Sequence, residues 1–264
     1  MEKRTPSDAR DENDAVAKLA SAALEIIATR QHTSQRSHRL YDLRAVDLLY
    51  DAVCGHAPEA VLSTVNDLRA QGFSNIEIAD HIVPEVAKKL GESWCSDTAG
   101  FAQVTIGCAR LHGLLPELGP EWTRRPPQPL LSALRLLIVV PQGAQHSFGA
   151  TLLTGQFRRL QHEIMLSIGE TPEKLDNRLT YDEFDAILIS ASKHEQVDQL
   201  KGIVTQVRQI SPRTPILLGG GILDGHSDIT DDVGVDLATS DLAKALTFIT
   251  RHQATHLPKH QIKI

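Results

Sequence analysis

The stretch LRLLIVVPQGAQHSFGA, residues 134–150, decides how this chain is read. Its opening LRLLIVV (134–140) is an almost continuous aliphatic run, as expected of a strand covered on both faces. A loop with a histidine follows, and after Gly149 the pattern turns helical. The same rhythm continues downstream. HEIMLSI (162–168), AILIS (186–190), PILLGGG (215–221) and VDLAT (235–239) read as four more strands. Helices are expected over 171–180, through Val197, Leu200, Val204 and Val207, and over 241–251. Strand–helix alternation of this kind gives a parallel α/β sheet with right-handed crossovers. Five such strands adopt the flavodoxin-like order 2-1-3-4-5.

Ahead of the sheet, residues 41–118 read as a four-helix bundle. Val46, Leu49 and Val53 mark a first helix closed by Gly55, and Pro58 stands near the start of a second that stops at Gly72. The third is capped at Ser74 or Asn75, kinked or restarted at Pro84 and ended by Gly91. Phe101, Val104, Cys108, Leu111 and Leu115 lie at helical spacing and predict one apolar stripe on the fourth. PELGPEWTRRPPQPL (116–130) holds five prolines and reads as a break between domains. The expected organisation is an N-terminal arm (1–40), the bundle (41–118), a Pro-rich linker (119–132), the α/β domain (133–252) and a tail (253–264).

The chain has 264 residues, 41% hydrophobic and 23% charged, enough for substantial cores. Its aliphatic runs are too short to span a bilayer, and the polar start MEKRTPSDARDEND is unlike a signal peptide. Three cysteines without a CxxC pair argue against a disulfide framework. A cytoplasmic protein is expected. The net charge of −6 excludes a chain that grips DNA by bulk electrostatics, so DNA contact is expected at most through a partner.

In open parallel sheets, ligands bind beyond the carboxyl ends of the strands, at the switch point between strands 1 and 3. Three segments converge there: the loop with Gln145, His146 and Gly149; SAS with Ser190 and Ser192; and Gly219, Gly220 and Gly221. Neutral imidazole is a common transition-metal ligand. Serines supply hydroxyls, and glycines let a flat group approach backbone. No GxGxxG and no receiver-type acidic pair is present.

These spacings resemble the cobalamin-binding Rossmann-like domain, whose signature is D-x-H-x-x-G, S-x-L and G-G. Here H-S-F-G occupies 146–149, forty residues separate Gly149 from Ser190, and twenty-six separate Ser192 from Gly219. GESW (91–94) matches the G-x-x-W of the helical cap that precedes such domains. The resemblance covers roughly residues 45–250. Within that superfamily the chain is similar to the AerR/PpaA proteins of purple photosynthetic bacteria, through V-T-I-G-x-A-R-L (104–111), Q-H-x-x-G (145–149) and S-A-S-K (190–193).

The resemblance implies a light-responsive, cobalamin-binding antirepressor, not an enzyme, that contacts a photosynthesis-gene repressor of the CrtJ/PpsR type. The cobalamin could be the hydroxo-, aquo- or adenosyl- form. His146 would ligate cobalt, Ser190 and Ser192 would bond the displaced tail, and Gly219–Gly221 would leave it room. Trp94 would lie over the corrin, near Val104.

The sequence departs from the pattern in three places. Ala144 replaces the aspartate that orients the ligating histidine, leaving backbone, water, Gln145 or Gln142 to do so. Ser192 replaces leucine, and Val104–Thr105 replace the Glu-His pair of adenosylcobalamin light sensors. His162 and His194 read as solvent-facing, with His194 a second candidate ligand. Cys95 and Cys108 read as buried or half-buried thiols. The alternatives are a corrinoid shuttle of a methyltransferase system, or a cofactor-free flavodoxin-like interaction module.

Overall fold

A computed structural model describes residues 38–122, 133–144, 146–224 and 228–256. Nearly all of the arm, most of the linker, Gln145 and the end of the tail lie outside the described residues. Backbone contacts divide the described residues into two units at Asp47/Leu48. The helical run comprises α1 (His38–Cys54), α2 (Glu59–Ala70), α3 (Asn75–Glu77), a π-helical turn (Ile78–Ile82), α4 (Val83–Cys95) and α5 (Phe101–Leu118). In the larger unit, Val53, Val65, Leu68, Ile78, Val86, Leu90, Leu111 and Leu115 are buried. Full burial of each such side chain contributes roughly 1.5–3 kcal/mol.

Local chemistry explains where the helices start and stop. Ser74 caps α3 in a reciprocal box: its Oγ accepts from the Glu77 N–H at 3.2 Å, and its own N–H donates to the Glu77 carboxylate at 2.8 Å. The π turn directly precedes Pro84, whose missing N–H and ring would otherwise break regular α winding.

Three expectations are corrected. Gly91 does not end its helix; α4 runs on to Cys95. There the Ser96 hydroxyl donates to the Glu92 carbonyl at 2.9 Å and the Thr98 hydroxyl to the Ser93 carbonyl at 3.2 Å, closing the end. Pro116 does not break the chain but lies in the last turn of α5, where few bonds remain to lose. The apolar stripe of α5 is buried only in its second half, since Phe101 is 71% exposed.

The sheet is as the aliphatic runs predict. β1 (Arg135–Pro141), β2 (Glu163–Glu170), β3 (Ala186–Ser190), β4 (Ile216–Gly219) and β5 (Leu237–Ala238) are all parallel, in the order β2-β1-β3-β4-β5. The helices are α6 (Phe148–Arg159), α7 (Pro172–Tyr181), α8 (Val197–Ile210), α9 (Ile229–Val233), which the sequence reading did not anticipate, and α10 (Leu242–His256). Alternation along β1 divides the core. Leu136, Ile138 and Val140 pack with Ala150 and Phe157 of α6 and Ile249 of α10. Leu137 and Val139 pack with Leu175 of α7, Leu200 and Val204 of α8 and Ile229 of α9.

The helical run and the sheet layer are joined at the far end of α6. Arg159 makes a bidentate ion pair with Asp80 of the π turn, and its Nη1 donates to Glu121 at 2.8 Å. The guanidinium also lies 5.0 Å from the Trp122 ring centre. Trp122 ends the 3-10 turn Pro120–Trp122 and covers Gly155, where any Cβ would overlap the indole. The start of the expected linker is therefore packed onto α6.

Candidate functional site

The carboxyl edge of the sheet brings β1, β3 and β4 together in register: Val139 pairs with Ile189, and Ser190 with Gly219. Each strand ends here because its aliphatic run gives way to polar or glycine residues. His146 follows β1 just ahead of α6; its ring is exposed and forms no hydrogen bond to a described residue. The His194 ring stacks against it, with centres 5.8 Å apart and planes at 29°. His194 is thus exposed, as expected, and adjacent to the first candidate ligand. Ala144 is half-buried against the core shared by α6 and α10.

The other candidate residues divide. Ser190 ends β3, half-buried. The Ser192 hydroxyl accepts from the His194 N–H at 3.3 Å, while its backbone N–H donates to the Glu195 carboxylate. That hydroxyl shapes its own loop. Gly219 and Gly220 are explained by the protein itself. A Cβ on Gly219 would come within 3.0 Å of the Thr239 carbonyl, and one on Gly220, at φ +103°, would run into the Ala191 carbonyl. Gly221 has only ordinary contacts, 3.7 Å and beyond, and Gly149 has open space. Open room for a flat group therefore lies at Gly149 and Gly221.

The helical run borders the same edge. Lys193 Nζ lies 3.5 Å from Cys95 Sγ at the end of α4, next to Trp94. Cys95 is exposed, against the sequence reading, at the last position of its helix. Trp94 is 45% exposed and meets Phe101 edge-on at 5.8 Å; Val104, one turn along α5, is half-buried. His112 of α5 packs edge-on against Phe148 at 4.7 Å, and its burial lowers its pKa. Sequence reasoning missed His112 and Lys193 as cleft residues; the signal was the Leu111–Leu115 stripe and the lysine of SASK.

His162 is corrected. It is half-buried, and its Nδ1 accepts the Leu134 N–H at 3.1 Å. Burial lowers its pKa, partly opposed by Asp185. Cys54 and Cys108 are half-buried, and burial raises both thiols. Among the described residues no group of three or more His, Cys, Asp or Glu side chains is placed to hold a metal ion. No helix among them is long and apolar enough to cross a membrane.

No protein-family profile matches the chain. An uncharacterized 20.5 kDa protein of the bchF-crtJ intergenic region of Rhodobacter capsulatus is 29% identical over 191 residues, 69% of this chain and 95% of that protein. The Methanosarcina barkeri monomethylamine corrinoid protein matches with a TM-score of 0.61 at 15% identity, over 80% of this chain and 99% of that one. The two chains share a fold. A cobalamin-binding protein from Desulfitobacterium hafniense DCB-2 gives a TM-score of 0.41 at 13% identity, over 79% and 97% of the two chains.

Proposed function

We propose that this chain binds a corrinoid between its helical run and the carboxyl edge of its sheet, and that it acts as a regulator rather than an enzyme. The observation that carries this reading is the exposed His146 imidazole. It forms no hydrogen bond to a described residue and stands at the β1/β3 switch point, at an edge that α4 and α5 also border. The donor set fits, because a lone exposed imidazole, with no cluster of metal-ligating side chains among the described residues, suits a metal that a macrocycle would already hold. His146 would hold the metal from the sheet side. Ser190 would bond the displaced tail, and Gly149 and Gly221 would keep its path clear. Trp94 and Phe101 would cover the opposite face. When bound, the corrinoid would supply light-sensitive metal chemistry.

The regulatory part follows the resemblance to AerR/PpaA proteins. Its partner would be a CrtJ/PpsR-type repressor, in keeping with a relative named for the bchF-crtJ region. DNA would be reached through that partner. The fold shared with a corrinoid protein favours a second reading, a methyl-carrying shuttle. Ala144, in place of the acid that orients such histidines, weighs against it.

The test is reconstitution with hydroxocobalamin, desalting and absorption spectra in light and dark, followed by capture of the repressor under each condition. Retained absorbance with an imidazole-ligated spectrum that His146→Ala abolishes is expected, together with light-dependent capture. A colourless desalted protein would overturn corrinoid binding. Capture indifferent to corrinoid and light, with methyl transfer to an acceptor, would favour the shuttle.

A further inference from the structure

On the sheet face opposite α6, a cavity of about 370 Å³ opens between α7 and α8 beyond the ends of β1 and β2. Val139, Leu175 and Ile203 give it an apolar wall. Its polar lining is unusual in how donors and acceptors are shared out. Gln206 Nε2 donates to the Pro172 carbonyl at 2.5 Å and to the Asp176 carboxylate at 2.6 Å, which uses both amide hydrogens. Gln199 Nε2 donates to the Gln142 carbonyl at 2.8 Å. The side-chain amide oxygens of Gln199 and Gln206 and the Glu170 carboxylate leave the lining rich in acceptors. Glu170 is 2% exposed, but Arg178 Nε donates to it at 3.3 Å, so its charge is already balanced.

Gly202 supplies an independent observation. It lies in the interior of α8, where glycine is less favourable than alanine. It lines the cavity, and a Cβ there would meet nothing within 4 Å. Backbone conformation and packing therefore give no reason for a glycine; an unobstructed cavity mouth does.

We propose that this cavity binds a neutral primary carboxamide carried on a small apolar body. Two N–H donors answer the acceptors, the Thr171 hydroxyl can donate to the carboxamide oxygen, and the balanced Glu170–Arg178 pair favours a neutral group over a cation. The volume suits a small ligand. Such a carboxamide has two sources: a free small amide, or an amide arm at the edge of a corrinoid held at the loop that Gln142 shares with His146. Only the second source rests on the proposed function.

The experiment uses the full chain, with nicotinamide as the free probe, nicotinate as its charged counterpart and hydroxocobalamin as the corrinoid. Binding is read by saturation-transfer NMR and retention by desalting, for wild type, Gly202→Leu and Gln199→Leu. Gly202→Leu fills the mouth with a better helix former, so its Tm should hold or rise. Gln199→Leu serves if that variant misfolds. A free-amide site predicts nicotinamide binding at least tenfold tighter than nicotinate, lost at least tenfold in the variants, with corrinoid retention unchanged. A corrin-arm site predicts weakened corrinoid retention in the same variants. Nicotinamide binding and corrinoid retention both indifferent to the variants would overturn the proposal. A wild type that retains no corrinoid would overturn the proposed function instead, and nicotinamide alone would then decide the cavity.

Discussion

At its last turn α6 is gripped by its surroundings: Arg159 reaches Asp80 and Glu121, Arg158 donates to the Glu121 carbonyl at 3.0 Å, and Trp122 covers Gly155. At its first turn Ser147 forms no side-chain cap, and the His146 ring meets that of His194. The last turn also carries its two arginines where the helix dipole favours positive charge. One helix thus has a fixed end and an open end. Ion pairs join the two layers at the fixed end; at the open end they meet through the His112–Phe148 ring contact, and His146 stays exposed.

The sharpest way to break this contrast is Arg159→Ala. Arg159, Asp80 and Glu121 side chains are only 16%, 20% and 12% exposed, so two nearly buried carboxylates would lose their partner. The expected loss is about 3 kcal/mol in urea unfolding, and a loss below about 0.5 kcal/mol would deny the fixed end its role. Gly155→Ala should cost about 1–3 kcal/mol, because the added methyl must displace the Trp122 indole. Its signature is a lower Tm with a shift in tryptophan emission.

Acid tests both ends together. His112 lies against Phe148 at the open end and His162 against Phe157 at the fixed end, and burial lowers both pKa values below 6.5. The unfolded chain then binds more protons than the folded one below that pH. Stability is full above about pH 6.5 and falls as pH drops toward the folded pKa values. Unfolding midpoints from pH 7.5 to 5 in His112→Gln and His162→Gln should each show a shallower decline than wild type. The smallest effect is expected of His146→Ala: an exposed side chain without a hydrogen bond to a described residue should change stability by less than about 0.5 kcal/mol. A larger loss would mean that the open end is structural.

The fixed end is also what sequence reading could not find. Strands β1 and β3 were legible because aliphatic runs covered on both faces have few alternatives, and their order followed from the alternation with helices. The histidine loop was legible because a switch point follows from strand order. Asp80 and Arg159 are 79 positions apart, and neither stands in a recognisable motif. Their pairing depends on how two layers dock, which local periodicity does not encode. Pro116 and Gly91 misled for a related reason: breaker residues are tolerated near helix ends when hydroxyls such as those of Ser96 and Thr98 take up loose carbonyls. Gly219 and Gly220, read as room for a ligand, also stand where backbone approaches closely, at the Thr239 and Ala191 carbonyls, and sequence cannot tell the two uses apart.

The wide turn at Ile78–Ile82 holds one residue more than an α-helix of the same rise. A wide turn absorbs its extra residue locally, so deleting one codon there would restore regular winding and leave the flanks in place. One further residue that no wide turn absorbs would instead rotate one side by about 100° and swing Asp80 off Arg159, or Val83, Val86 and Leu90 out of their packing. The reading frame of this helix is thus tied to the docking of a layer that the chain does not begin to build until more than fifty residues later.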